Sequence, residues 1–395
     1  MDSGEKERMS GRWTLRYGSA AVFTAAIIIT AALFANRITL NQTSALASFS
    51  VMLTDPPTVP AGTTILELKY SNVWLHVTYP NGTATWLAFS TSGTVNLLSI
   101  VNMSKTIAST TIEIGSTVDK IQFTIADVDA VVNGMMHNVT ALSNTMVISV
   151  KNSRINETLS GVLIDFNPTL VQIQATDANG ALVYYYVLVP SATATIISNL
   201  SRDQIKVGTI VELGEDDRAK LVRVEEEFSK SITIASASLS LNGNVTTLSV
   251  TLKNEGSTTF RVFGLTLHGE FNATRTWEME EDDDIDDEES EHAHPETIPF
   301  KVNGTSLVPL LGDLEDYEDY EEFEDDWDDE DVDFNSLALQ SGQTITLNFN
   351  GIIAVHFEED DTDYLSMVVT PMVGGNYTVQ VMGEGFQTST VTATS

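Results

Sequence analysis

Apolar and polar residues alternate along much of the chain, the period of strands that bury one face. In "ILELKYSN", Leu66, Leu68 and Tyr70 fall on one side, with Glu67 and Lys69 on the other. "VWLHVTY" continues with Val73, Leu75, Val77 and Tyr79 in line, and "IQFTIADV" groups Ile121, Phe123 and Ile125. "ALVYYYVLV" is a run rich in strand formers. Asn-Gly supplies the positive φ that tight hairpin turns require, and it recurs at Asn81, Asn133, Asn179, Asn242, Asn303 and Asn350. The best helical candidate beyond the N-terminal region is "DDRAKLVRVEEEFSK" (216–230), a short helix or a connector. The pattern predicts an all-β protein with turns at sandwich spacing. Polar, charged sequence near 200–230 separates two strand-rich blocks. The expected organisation is a β domain over 48–200, a linker over 201–227 and a second β-sandwich-like domain over 228–395.

"YGSAAVFTAAIIITAALFA", Tyr17 to Ala35, breaks the alternation with nineteen residues that carry no charge. As a helix it would span roughly 28 Å, close to the ~30 Å hydrocarbon core of a bilayer. Lys6, Arg8, Arg12 and Arg16 precede it and only Arg37 follows closely. The positive-inside rule then leaves residues 1–16 in the cytoplasm and exports the rest. A cleaved signal peptide is the competing reading. Its apolar core should be shorter, and no small-x-small site follows at once, which favours a retained single-pass anchor over 17–35. Both readings place the bulk of the chain outside the cell. Asn-x-Ser/Thr sequons point the same way. They occur at Asn41, Asn81, Asn102, Asn138, Asn156, Asn199, Asn244, Asn272, Asn303 and Asn376, all beyond the apolar segment.

Charge is concentrated rather than spread. The chain holds 55 Asp+Glu against 20 Lys+Arg, a net charge of -35. Residues 278–333 contribute 27 acids and one base, and 358–363 add five acids, so -35 plus 31 leaves about -4 for everything else. The acidic runs at 278–291, 313–333 and 358–363 lie between strand patterns and read as surface-loop insertions. Nucleic-acid binding needs the opposite sign and is not expected. Cysteine is absent, which excludes disulfides, thiolate metal ligands and a thiol nucleophile.

The first block also carries a resemblance. "SFSVMLTDPP", "TILELKYSNVWLHV", "VNLLSIVN", "KIQFTIADVDAVVNG" and "GVLIDFNPTLVQI" follow one another between about residues 48 and 197. In this order they resemble the archaeal and bacterial exported proteins that carry the domain of unknown function 4382. "GSTVDKIQF" departs from the Gly-Tyr turn often found before the "I-x-F" strand of that family. The resemblance implies an exported β-sandwich-like module with no assigned activity. The second block, with "VTLKNEG" leading into its next strand, is similar to immunoglobulin-like archaeal surface modules.

Motifs of catalysis are missing: the chain has no G-x-S-x-G, H-E-x-x-H, P-loop or dinucleotide fingerprint. His292 and His294 could join Glu289 or Glu291 at a transition metal if they shared a strand face, although a solvated loop accounts for them as well. Asp127 and Asp129 share a strand face and could form an acid couple, or simply face water. The acidic runs invite calcium, which takes six to eight oxygen ligands. Asp282, Asp284, Asp286 and Glu288 are the candidate ligands in the first run, and Asp325, Asp326, Asp328 and Asp329 in the second. Neither run has the spaced ligands and folding glycine of a specific calcium loop. Leu314, Tyr317, Tyr320, Phe323 and Trp327 recur at helical spacing among like charges that oppose a helix. Removing that charge would let the stripe dock. The sequence therefore predicts a non-catalytic, membrane-anchored, glycosylated surface protein, structural or adhesive, with no cofactor unless calcium. Its alternatives are a calcium-dependent or charge-driven binding module and a subunit of a surface filament or surface layer.

Overall fold

Alternation becomes pairing from Leu46 onward. The computed structural model describes residues 45–151, 153–176, 182–279, 296–310, 337–360 and 363–395, and the architecture is predominantly β. Among the described residues no helix is long and apolar enough to cross a membrane. The segment 17–35 lies outside them.

The first sheet contains β1 (Leu46–Thr54), β2 (Thr63–Thr78), β3 (Ala84–Asn96), β4 (Met103–Glu113), β5 (Thr117–Val132) and β6 (Met135–Ala141). It continues with β7 (Thr145–Lys151), β8 (Leu159–Phe166), β9 (Thr169–Thr176), β10 (Leu182–Val189), β11 (Ala192–Ser198) and β12 (Ile210–Glu212). The strand order is β12-β4-β1-β8-β11-β7-β5-β6-β10-β9, with β2 paired to β5 and β3 to β2. β5 is the hinge of this sheet. It pairs with β2 along its length, while β7 takes residues 120–124 and β6 takes residues 129–132. The predicted apolar face of β2 is buried at Leu66, Leu68 and Tyr70, then at Val73, Leu75 and Val77. The switch from even to odd positions falls where the register slips between Ser71 and Val73, beside Asn72 at φ 50°.

The second region is built from β13 (Ile232–Asn242), β14 (Val245–Asn254), β15 (Phe260–His268), β16 (Phe271–Met279), β17 (Thr297–Asn303) and β18 (Ser306–Pro309). β19 (Leu337–Leu339), β20 (Thr344–Gly351), β21 (Ile353–Asp360), β22 (Asp363–Pro371), β23 (Asn376–Gly383) and β24 (Gly385–Thr394) complete it. Nine strands run β17-β18-β20-β14-β13-β24-β23-β15-β19, and β17 also bonds β15. That extra pairing closes the path into a ring. Two junctions of the ring are narrow: β18 meets β20 at Ser306–Asn348 alone, and β13 meets β24 at two positions. β16, β22 and β21 form a separate sheet in which Met279 faces Asp363. The described ends leading into the acidic runs 278–291 and 358–363 are therefore neighbours.

Four of the six Asn-Gly pairs, at 81, 133, 242 and 303, connect consecutive paired strands. At Asn133 and Gly134 both φ values are positive, 53° and 83°, as a two-residue hairpin turn requires. Asn350-Gly351 makes no hairpin: the chain there leaves β20 and enters β21 in another sheet. Asn179-Gly180 lies outside the described residues.

Between the two regions lies α1 (Glu215–Ser231), so the stretch 216–230, which the sequence left as a short helix or a connector, is helical. Glu215, Asp216 and Asp217 occupy its first turn and Lys230 its last, each on the favourable side of the helix dipole. Leu221, Val224 and Phe228 form its buried stripe. Leu221 packs with Met52, Leu163 and Ile197 from the first sheet, whereas Val224 and Phe228 join the core of the second region. The two cores also exchange side chains directly. Phe263 of β15 packs into the first, and Leu142, Val171, Ile173, Val187 and Val189 pack into the second.

Candidate functional site

Charged groups withdrawn from water must be paired, hydrogen-bonded or neutralised, so they are the places to look for chemistry. Carboxylates occupy three different settings among the described residues.

The first is the seam between the two regions. Glu384 sits between β23 and β24 and is fully buried. Its Oε1 accepts the Ser149 backbone N–H, and its Oε2 accepts the Arg261 backbone N–H at 3.0 Å. Its own N–H donates to the Arg261 carbonyl at 3.1 Å. Burial pushes the Glu384 carboxyl up, while the Ser149 and Arg261 donors and the Arg261 charge oppose that rise. The Ser191 hydroxyl adds a bond to the Gly383 carbonyl at 3.0 Å. Ser149 lies on β7 and Ser191 in the turn between β10 and β11 of the first region, whereas Arg261 lies on β15 of the second. The glutamate therefore acts as a staple.

The second setting is the C-terminal end of β1. Parallel pairing with β8 puts Thr54 opposite Asp165, and antiparallel pairing of β8 with β11 puts Thr193 opposite the same Asp165. Directly paired residues share a sheet face, with Cβ atoms about 4.5–5.5 Å apart. Leu163, two residues before Asp165, and Ile197, four residues after Thr193, lie on that face and pack with Leu221 of α1. Asp55 follows Thr54, is 0% exposed, and neither of its carboxylate oxygens has a hydrogen-bond partner. The Thr193 hydroxyl, also buried, has none. Burial first and Asp165 second push the Asp55 carboxyl well above its ordinary value. Burial, and then the charge of Glu225 on α1, push Asp165 up to about 7.

The third setting is exposed. Asp127 and Asp129 do share a strand face, and Lys69 from β2 bridges them, reaching Asp127 Oδ2 and Asp129 Oδ2, the latter at 2.9 Å. The two aspartates raise the Lys69 ammonium above its ordinary value, the Asp127 hydrogen bond most of all. With a cation between them and water around them, they make an ion-pair cluster rather than a proton-sharing couple.

The calcium candidates Asp282, Asp284, Asp286, Glu288, Asp325, Asp326, Asp328 and Asp329 lie outside the described residues, as do His292, His294 and Asn41. Among the described residues, no cluster of three or more His, Asp or Glu side chains is arranged to hold a metal. The other nine sequon asparagines, from Asn81 to Asn376, are all exposed. Asn81 occupies a hairpin turn where its Oδ1 accepts the Thr83 N–H at 2.9 Å.

Sequence reading missed both buried carboxylate settings. "LTDPP" and "LIDFN" are visible as strings, but nothing in them says that Asp55 and Asp165 end on adjacent strands. It also passed over an outward-facing aromatic group on β2 and β3. There His76 lies 5.1 Å from the Trp86 ring and 2.6 Å from Asp119 through Nδ1, with Trp74 two residues before it. The alternation that buries Val73, Leu75 and Val77 already implies the outward face of Trp74 and His76.

No family model matches the chain, and comparison with curated proteins finds no match. The resemblance to the exported domain of unknown function thus rests on the strand patterns quoted above.

Proposed function

We propose that the chain is an exported surface protein, held in the membrane through residues 17–35 and glycosylated on its outer portion. It would serve a structural or adhesive role through two β-sandwich-like modules fixed to each other. One observation carries this reading: every described sequon asparagine stands at the surface, where a glycan could be attached without unfolding. The seam around Glu384 supports the structural part, because a staple between two sheets lets them bear load as one body. Protease added to intact cells should cut within 36–395, and chemical deglycosylation should lower the mass of the chain. Asn81→Gln should remove one glycan's worth of mass. Complete protection of 36–395, or a mass unchanged by deglycosylation, would defeat the reading.

A second reading, binding of calcium or a basic partner by the acidic runs, is favoured by one feature of the register. Met279 pairs with Asp363, so the runs 278–291 and 358–363 leave the same end of one sheet. Neutralising the acids of 280–291 and 358–363 together (Asp→Asn, Glu→Gln) should abolish any calcium-dependent change in Trp327 fluorescence or partner binding.

A further inference from the structure

The ten sequons look alike as tripeptides, but one differs in what precedes it. Tyr79-Pro80-Asn81-Gly82-Thr83 has an aromatic residue two positions before the asparagine, and no other sequon of the chain does. The same five residues connect β2 to β3. The Gly82 N–H donates to the Tyr79 carbonyl at 2.9 Å, the Tyr79 N–H donates to the Thr83 carbonyl at 2.8 Å, and Gly82 has φ 85°. This is a three-residue hairpin loop ending in a left-handed glycine, and Pro80 pre-sets the φ of its first position. Asn81 is exposed, and its Oδ1 accepts the Thr83 N–H at 2.9 Å, which turns the carboxamide back onto the Tyr79–Thr83 pair. Its Nδ2 makes no hydrogen bond among the described residues. Tyr79 is half-buried against the first core, so it is held in place while part of it stays open to solvent. Asn303-Gly304-Thr305 repeats the tripeptide at the β17–β18 turn, with Lys301 where the other loop has Tyr79.

We propose that the sugar joined to Asn81 packs on Tyr79 and is a structural part of the β2–β3 hairpin. The inference rests on the glycosylation proposed above and names the sequon whose sugar the fold uses. In the transfer, Nδ2 bonds to the anomeric carbon of a lipid-linked sugar, the bond from that carbon to the lipid phosphate breaks, and Nδ2 gives one proton to solvent. A pyranose presents C–H groups on its faces, and these suit the negative face of a phenol ring. Pro80 and three hydrogen bonds already fix the loop, so the contact needs little further ordering. Covering the open part of Tyr79 removes apolar surface from water in the folded state. The unfolded chain, with its loop open, gains nothing from it. At Asn303 the corresponding neighbour is a lysine, which offers the sugar no ring.

The test uses the full-length chain, purified in detergent from cells that glycosylate it and from cells that lack the transferase. Peptide mass spectrometry should find a sugar on Asn81 in the first preparation. Thermal unfolding then compares the wild type with Asn81→Gln and Asn303→Gln in both preparations. Subtracting the Tm loss seen without sugar removes the contribution of the Asn81 Oδ1 bond, which Asn81→Gln also deletes. The remaining increment should be about 2 °C for the Asn81 sugar and under about 1 °C for the Asn303 sugar. Tyr79→Phe should keep the Asn81 increment and Tyr79→Leu should abolish it. If Tyr79→Leu does not fold, the comparison with Asn303 still decides. A sugar on Asn81 with an increment no larger than at Asn303, or one unchanged in Tyr79→Leu, would overturn this inference and leave the glycosylation intact. Sugars at other sequons but none on Asn81 would do the same. No sugar at any sequon would defeat the reading of a glycosylated surface protein, and this inference with it.

Discussion

Two interior carboxylates receive opposite treatment from this fold. At the seam, Glu384 is met by backbone N–H groups from Ser149 and Arg261 and by the charge of the Arg261 side chain. At the end of β1, Asp55 is just as buried and no donor meets it, so burial first and the charge of Asp165 second push its carboxyl up. Burial alone therefore does not tell what a carboxylate is for. A carboxylate supplied with donors joins two elements, because its acceptors satisfy groups on both. A carboxylate denied donors is driven toward its neutral acid, because nothing replaces the hydration its charge has lost. Lys69 with Asp127 and Asp129 marks the exposed limit of the same series, where water and a lysine do the neutralising.

Cutting the staple should have the largest effect. Glu384→Ala leaves the buried Ser149 and Arg261 backbone N–H groups without their acceptor, at a cost of about 2–5 kcal/mol. Urea denaturation measures it, and a loss below about 1 kcal/mol would mean that water replaces the missing acceptors.

The strand-end acids should reveal themselves through pH. Asp165 is held at about 7 in the folded chain against an ordinary 3.8, so the folded state keeps a proton that the unfolded chain releases first. Its contribution is complete below about pH 4 and is lost as pH rises through about 7. With each pH unit worth ~1.4 kcal/mol, the loss is on the order of 2–4 kcal/mol. Asp165→Asn should flatten the corresponding part of the pH–stability curve. Identical slopes for the two proteins between pH 5 and 8 would place Asp165 in water.

Packing at the seam gives a smaller handle. A Cβ at Gly264 would stand 2.1 Å from Leu142 Cδ2 and 3.3 Å from the Phe300 carbonyl oxygen. Gly264→Ala should cost about 1–3 kcal/mol through overpacking. Adding Leu142→Ala should recover part of that loss, since the collision is with the far end of a side chain. Strictly additive losses in the double variant would show that the backbone, not Leu142, resists.

The smallest effect belongs to the exposed cluster. Lys69→Met removes the bridging cation, yet Asp127 and Asp129 remain accessible to water, so the change should be the smallest of the four and shrink further in salt. A salt-insensitive loss of several kcal/mol would erase the distinction drawn between this cluster and the interior ones.

The sequence by itself determined the strand character, the buried face of most strands and several hairpin turns, and it offered 216–230 as a short helix or a connector. Each of these follows from short-range rules: side-chain alternation, the φ freedom of Asn-Gly, and charges placed to suit a helix dipole. Tyr70 and Val73 are both buried although their spacing breaks the alternation, and only the register slip at Asn72 reconciles them. Asn350-Gly351 looks like the other turn pairs and is not a hairpin, because the next strand finds its partners in a different sheet. Strand neighbours far apart in sequence were left to the tertiary structure. Thr54 lies opposite Asp165, and Glu384 meets Ser149, across separations of 111 and 235 residues (165 minus 54; 384 minus 149). No local pattern encodes such pairs. They are fixed when whole strands pair and bury their faces, and the chemistry of both interior carboxylates is decided at that step.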